Sequence, residues 1–318
     1  MFKNGQQFVI VSALISLLWA GTWQQAPVVW AETWRLEKGQ DWKPVDAQGK
    51  DKYLLEVARI KQLVNTGQTE TVRNAVARLK KDFPEIAGPD LDGFIEAEML
   101  FCEGRFVRAV RSYDKFLAEF PESEFHQAAL DRQFAIATAF LAGRKIRVLG
   151  VFTIRGYASG ERIMEKITDS TGDAPIAVKA AVATAESMEK RGKFEPAYHK
   201  WSQIASRWPT GQTGKDALLA MARCKHAAYR GPKYDASNLI SAKSYYENFR
   251  LRYPEDAEKL GIEDKLKQIN EQLAYKQFSI GRYYEQTGSK QSANFYYQMV
   301  ADSWPDSTAV KMMQERQN

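Results

Sequence analysis

The chain is poor in the residues from which catalytic and metal sites are built: its 318 residues include two cysteines and three histidines. His126, His199 and His226 stand apart from one another, with no carboxylate or second histidine at metal-ligand spacing, so surface or capping roles are expected of them. No phosphate-cradling glycine loop, nucleophile elbow or zinc pattern is present. Carboxylate pairs such as Glu96 and Glu98 are what solvated helix faces carry. The expectation is a protein without enzymatic activity, cofactor or metal. The formal charge is +6, of which the first 31 residues hold only Lys3, and the basic residues mingle with 39 acids. With no groove-reading motif among them, nucleic acid is not an expected partner.

Long apolar runs are also missing, with one exception. Phe8 to Gly21, behind Lys3, is apolar and is followed by Val29-Trp30-Ala31, which offers small or aliphatic residues at cleavage positions. Residues 1–31 read as a signal peptide and the protein as exported, with an uncleaved anchor as the alternative, although the run is short of the roughly 20 residues that span a bilayer. Neither cysteine adjoins this leader, so the lipid that anchors bacterial lipoproteins has no expected site. Residues 32–50, broken by Gly39, Pro44 and Gly49, are expected to form an extended strap over the first helix pair.

What is present is a repeat. Five aromatic-proline dipeptides, Phe83-Pro84, Phe120-Pro121, Trp208-Pro209, Tyr253-Pro254 and Trp304-Pro305, each close one spaced pattern. Counted from a glycine at position zero, small or apolar residues recur at plus five, nine, twelve and sixteen. The copies read Gly67, Val72, Val76, Leu79, Phe83; Gly104, Ala109, Tyr113, Phe116, Phe120; Gly192, Ala197, Trp201, Ile204, Trp208; and Gly288, Ala293, Tyr297, Val300, Trp304. A further copy has Ala242, Tyr246, Phe249 and Tyr253, with Ser237 in place of the glycine. Steps of four and three place these side chains on one helix face, which is expected to be buried. The glycine suits a left-handed residue after a preceding helix, and the proline cannot continue the next one.

First helices are read at Tyr53–Val64, Phe94–Phe101, Ala128–Leu141, Ala177–Met188, Ala217–Ala228 and Ile262–Tyr284. Alanines such as Ala180, Ala181, Ala183, Ala185, Ala220, Ala222, Ala227 and Ala228 would let helices approach closely. The proline intervals are 37, 88, 45 and 51 residues, so a degenerate copy is expected inside the long one, with Gly160, Met164, Ile167 and Thr171 in register and Gly172 at the proline position. The fold expected is therefore all-α, a tetratricopeptide-like superhelix of about six helix pairs with the third irregular. It would span residues 51–310 as one elongated domain, followed by a tail over 311–318. Cys102 and Cys224 fall three pairs apart, roughly 30 Å at a helix spacing of about 8–10 Å, and are expected to stay buried free thiols.

Binding candidates lie off the template. Tyr245 and Tyr296 sit at plus eight, about 100° from the buried face, and either fill crevices between pairs or anchor a partner. Tyr283, Tyr284 and Phe295 beside Arg282 make an aromatic cluster near the carboxyl end that suits an interface. Arg144 to Arg155 breaks the helical register and reads as a hairpin-like insertion. Its Val148, Val151 and Phe152 either pack on the third pair or touch a partner or a membrane surface.

The leader, the stretch Tyr113-Asp-Lys-Phe116-Leu-Ala-Glu-Phe120-Pro121, and above all Ala274 to Gly288 followed by Ser292 to Val300 and Trp304-Pro305-Asp-Ser307, resemble the BamD family of envelope proteins. The resemblance implies a scaffold or chaperone-like role at the periplasmic face of the outer membrane. Its partners would be a BamA-like barrel assembly protein and unfolded outer-membrane clients held in superhelical grooves. The missing lipid-anchor cysteine and the 144–159 insertion depart from that pattern. The second reading is a periplasmic coordinator of the Tol-Pal type, whose usual N-terminal coiled coil has no counterpart in residues 32–50, or a general protein-interaction repeat protein.

Overall fold

The computed structural model describes residues 34–35, 43–44, 50–84, 88–148 and 152–315. The signal peptide expected over 1–31 lies outside the described residues. Of the strap, two dipeptides are described besides Lys50: β1 (Trp34–Arg35) and β2 (Lys43–Pro44), paired antiparallel. The fold is all-α and tetratricopeptide-like. It divides into two compact units, residues 1–125 and 126–318, a boundary that the repeat register and composition cross without a mark.

The first unit holds two helix pairs, α1 (Lys50–Asn65) with α2 (Thr69–Asp82) and α3 (Pro89–Cys102) with α4 (Phe106–Glu119). The second unit opens with α5 (His126–Leu141), the hairpin β3 (Lys145–Val148) and β4 (Phe152–Arg155), and α6 (Tyr157–Ser170). Then come α7 (Pro175–Lys190) with α8 (Phe194–Arg207), α9 (Gly211–Ala227) with α10 (Ser237–Arg252), the short α11 (Pro254–Lys259), α12 (Ile262–Gln286) with α13 (Lys290–Ser303), and α14 (Thr308–Glu315). Each first helix falls where the sequence places it. The expected tail differs, because residues 311–315 complete α14, whose first N–H is capped by the Glu271 carboxylate of α12 at 3.0 Å.

The turns inside the pairs rest on one backbone device. Gly67, Gly104, Gly192 and Gly288 have φ of 72°, 71°, 71° and 86°. The Gly104 N–H bonds the Phe101 carbonyl and the Arg105 N–H bonds the Leu100 carbonyl, both at 2.9 Å, which satisfies two carbonyls that a helix end would otherwise leave open. Gly192 and Lys193 close α7 in the same way. At the far end of each second helix the residue before proline is forced out of the helical region. Phe83, Phe120, Trp208, Tyr253 and Trp304 accordingly share one conformation, with φ of −132°, −131°, −126°, −137° and −141°. Leaving the helix swings these rings off the core face, so they are half-buried rather than buried as expected.

The plus-five and plus-twelve positions are the core. Val72, Ala109, Ala197, Ala242 and Ala293 are buried, as are Leu79, Phe116, Ile204, Phe249 and Val300. At plus nine, Tyr113, Trp201 and Tyr246 are buried, but Val76 and Tyr297 are only half-buried. The degenerate copy behaves as the register demands: Gly160, Met164 and Ile167 are buried in α6, and Gly172 takes φ of 58° where the others have proline. In the first unit Phe94 stacks on Phe125 at 5.1 Å and Tyr53 meets Phe83 edge-on at 5.8 Å.

Several expectations are corrected. Glu98 is not solvated; it is 1 % exposed and accepts a 2.5 Å hydrogen bond from the Tyr113 hydroxyl, while Glu96 is exposed. A carboxylate on the same side of α3 as Phe94 needs such a donor to be buried at all. Cys224 is buried, and burial pushes its thiol up to about 12, but Cys102 is half-buried with its Sγ 3.5 Å from the Thr69 hydroxyl. Both are free thiols. Among the expected close-packing alanines, Ala180, Ala181, Ala185, Ala220 and Ala222 are buried, whereas Ala183 and Ala228 are half-buried and Ala227 is exposed.

Two glycine substitutions separate conformation from space. Gly192 has nothing within 4 Å of an added Cβ, so Gly192→Ala should cost only its left-handed backbone, about 1 kcal/mol in urea denaturation. Gly281 lies inside α12, where alanine would normally gain about 1 kcal/mol, yet an added Cβ would stand 2.6 Å from the Tyr297 ring. Gly281→Ala should therefore destabilise the chain and alter its aromatic circular dichroism; a stabilised variant with an unchanged spectrum would refute the close approach.

Candidate partner-binding surface

The residues nominated by sequence are Tyr245, Arg282, Tyr283, Tyr284, Tyr296 and Phe152; the last helix pair carries four of them and brings three, Tyr283, Tyr284 and Tyr296, into ring contact. Tyr283 and Tyr284 lie in the final turn of α12, and the Gly288 turn folds the first turns of α13 beside them. Tyr284 and Tyr296 stack, with centroids 5.6 Å apart and ring planes 8° from parallel. Tyr283 stands edge-on to Tyr284 at 5.6 Å, and Phe295 stands edge-on to Tyr296 at 5.5 Å. The result is a row of four rings, half-buried in the middle, with Tyr283 and Phe295 each 62 % exposed at the ends. Such contacts contribute about 0.5–1.5 kcal/mol beyond area burial and hold the outer rings in place before anything binds.

Arg282 is exposed, with its guanidinium carbon 6.0 Å from the Phe278 ring centroid. Phe278 in turn packs on Tyr297 at 5.9 Å and on Tyr275 at 6.2 Å. Tyr275, 41 % exposed near the middle of α12, was missed in the sequence, where no doublet marks it. The Tyr297 hydroxyl donates to Glu285 at 3.0 Å.

Tyr245 is elsewhere. It sits half-buried in the seam between α8 and α10, where its hydroxyl shares a 2.7 Å hydrogen bond with the Tyr198 hydroxyl and the rings lie 6.0 Å apart. The Lys225 ammonium stands 4.1 Å from the Tyr198 ring centroid and 2.9 Å from Glu195. Burial first, and then the hydrogen bond to Tyr198, push the Tyr245 phenol up to about 12. This tyrosine joins two neighbouring pairs to each other, and its polar atom is already engaged. Phe152 begins β4, opposite Val148 in the hairpin register. Its side chain and that of Val148, like Val151, lie outside the described residues, so the packing expected of the hairpin tip does too. The hairpin itself forms as expected, with Lys145 opposite Arg155 and Ile154 exposed.

Two depressions went unseen in the sequence. One, of about 270 Å³, lies over α7 and α9, between Val182, Glu186, Asp216, Leu219 and Arg223. The other, of about 610 Å³, lies between the Gly192 turn and the loop that leads into α10. The signal for the second was the absent glycine of the fifth copy. Among the described residues no group of three or more His, Cys, Asp or Glu side chains could hold a metal ion, and no helix is long and apolar enough to cross a membrane. His226 accepts or donates one 3.0 Å hydrogen bond with Gln272, and burial lowers its pKa.

No family model matches the chain, and no curated protein matches it in sequence. Among solved structures it is similar to PilW, a widely conserved type IV pilus biogenesis factor, at 15 % identity over 84 % of this chain and 100 % of that one, with a TM-score of 0.30. A tetratricopeptide repeat protein from Parabacteroides merdae is 9 % identical over 83 % of this chain and 97 % of its own, with a TM-score of 0.34. The apo form of RapI is 10 % identical over 82 % and 99 %, also at 0.34. What these proteins do stays theirs.

The tyrosine pair gives a pH test. An unfolded tyrosine loses its proton near 10, whereas folded Tyr245 keeps it until about 12. Between those values the unfolded chain binds fewer protons, so the contribution of Tyr245 to stability is complete below pH 10 and is lost as pH rises towards 12. Tyr245→Phe should be less stable at neutral pH by about 1 kcal/mol and should lose stability less steeply with alkali. Parallel denaturation curves of both proteins from pH 9 to 12, with identical slopes, would count against the seam.

Proposed function

We propose that the protein is a non-catalytic, exported scaffold of outer-membrane β-barrel assembly, acting at the periplasmic face of the outer membrane. The aromatic edge of the last helix pair is the surface on which a BamA-like barrel assembly protein docks. The observation that carries this reading is the row Tyr283, Tyr284, Tyr296 and Phe295, two rings of which stand in solvent on a base of two stacked ones. Exposed aromatic side chains with fixed rotamers are the usual anchors of protein interfaces, because they bury much area and lose little freedom on binding. Arg282, exposed and next to Tyr283 in sequence, adds a cation near the same end of α12. The edge falls inside Ala274 to Ser307, the stretch whose residues most resemble the BamD family. Unfolded outer-membrane clients are the second class of partner in this reading, and the grooves over the first helices are where they would lie.

The test is affinity capture from a cell envelope, run with the intact chain and with a Tyr283→Ser, Phe295→Ser double variant. Both rings are exposed, so the variant should fold with a stability change within about 0.5 kcal/mol per site. The intact chain should recover a barrel assembly protein, and the variant about tenfold less of it. Capture that recovers no such protein would discard the partner, and equal recovery by the variant would discard the surface.

A further inference from the structure

The fifth helix pair breaks the repeat at one place. Where the second, fourth and sixth pairs turn through a glycine within three residues, residues 228–236 form a longer loop between α9 and α10, and Ser237 stands at the glycine position. That loop is fixed from two sides. Lys276 of α12 donates from its Nζ to the carbonyls of Pro232 at 3.2 Å and Tyr234 at 2.5 Å. Asp235 accepts the Ser237 N–H at 2.9 Å, and its hydrogen bonds to Ser237 hold its carboxyl below the usual range.

Facing the loop across the 610 Å³ cleft is the Gly192 turn. The volume falls within the range of about 300–1,000 Å³ typical of ligand sites. Phe194, Pro196, Ala227 and Ala228 supply apolar lining beside Lys193 and Arg230. Both carboxylates of the lining are engaged: Glu195 with Lys225, and Asp235 with the start of α10. Lys193 and Arg230 form no ion pair among the described residues, and Arg230 stands 6.0 Å from the centre of the exposed Tyr234 ring. Lys193 and Arg230 are thus the two lining cations left to meet a ligand, while Lys225 pairs with Glu195 and Lys276 holds the loop wall from outside the cleft.

We propose that this cleft binds an acidic, extended segment of a partner protein. Its carboxylates pair with Lys193 and Arg230, and a neighbouring apolar side chain lies against Phe194 and Ala227. A peptide fits where a small anion does not, because the two free cations are set beside apolar lining in an open cleft rather than around an enclosed point. The site is separate from the aromatic edge and stands or falls without it.

The experiment uses the purified chain and a fluorescein-labelled decapeptide of alternating glutamate and leucine, followed by anisotropy at low salt, where charge pairing is least screened. A peptide with glutamine in place of glutamate is the control. The acidic peptide should bind at least about tenfold more tightly than the control, and Lys193→Ala with Arg230→Ala should weaken it by about tenfold without altering the melting temperature. Lys276→Met, which releases the loop wall, should weaken it as well. Equal binding of the glutamine peptide, or unchanged binding by the double variant, overturns the proposal. So does displacement of the peptide by phosphatidylglycerol vesicles that the double variant no longer binds, which would assign the cleft to a membrane surface.

Discussion

A second helix with a stripe of small and apolar residues can be dried only by lying closely against the helix before it, and every other feature of this chain is arranged around that contact. Alanine at plus five, fully buried in the second, fourth and fifth copies, sets how near the helices come. Larger residues at plus nine and plus twelve then fill the space above and below it. The left-handed glycine is the means by which the chain reverses soon enough to make the contact. A longer connection would let the second helix slide, and the stripe would meet the wrong face.

Departures from this scheme are where the molecule acquires surfaces of its own. Between α5 and α6 the chain makes the usual helix-closing glycine, Gly143, with its φ of 95°, and then inserts a hairpin before the second helix starts. The Gly156 N–H returns to the Arg144 carbonyl at 2.9 Å, so the two feet of the hairpin are tied and the helices still pair as if the insertion were absent. Between α9 and α10 the connection lengthens instead, and a cross-link from Lys276 replaces the rigidity that the short turn gives elsewhere. The helix contact survives in both cases because the extra residues are anchored, the hairpin at its feet and the loop at Pro232 and Tyr234.

The architecture was legible because it is written in spacing. Gly160, Met164, Ile167 and Gly172 could be placed in register inside the long proline interval without any resemblance to the other copies beyond position. What escaped were facts about which neighbour a side chain meets. Glu98 looks like a surface carboxylate in α3 until Tyr113 of α4 is seen to reach it, and the two are 15 residues apart. Tyr245 and Tyr198, 47 residues apart, carry no mark of their shared hydrogen bond. Of the nominated binding residues, Tyr283, Tyr284 and Tyr296 were found together because local sequence already groups them around one turn. The division at residue 125 left no trace because the repeat continues through it.

Why the same template position gives a buried seam in one copy and an open edge in another has a specific cause. Tyr245 and Tyr296 both stand at plus eight. Tyr245 finds Tyr198, at plus six of the preceding copy, and the two phenols share their hydroxyl groups across the seam. Counted from Ser237, the residue at plus six of the copy before Tyr296 is Lys243, whose ammonium turns to Glu247 on its own helix at 4.0 Å. A lysine cannot offer the flat face and hydroxyl that Tyr198 does, so Tyr296 stacks on Tyr284 within its own pair. That stack is half-buried. The following helix, α14, packs through Ala309, Val310 and Met313 on the Phe278 and Val300 side. Tyr283 and Phe295, the outer rings of that row, are left in solvent.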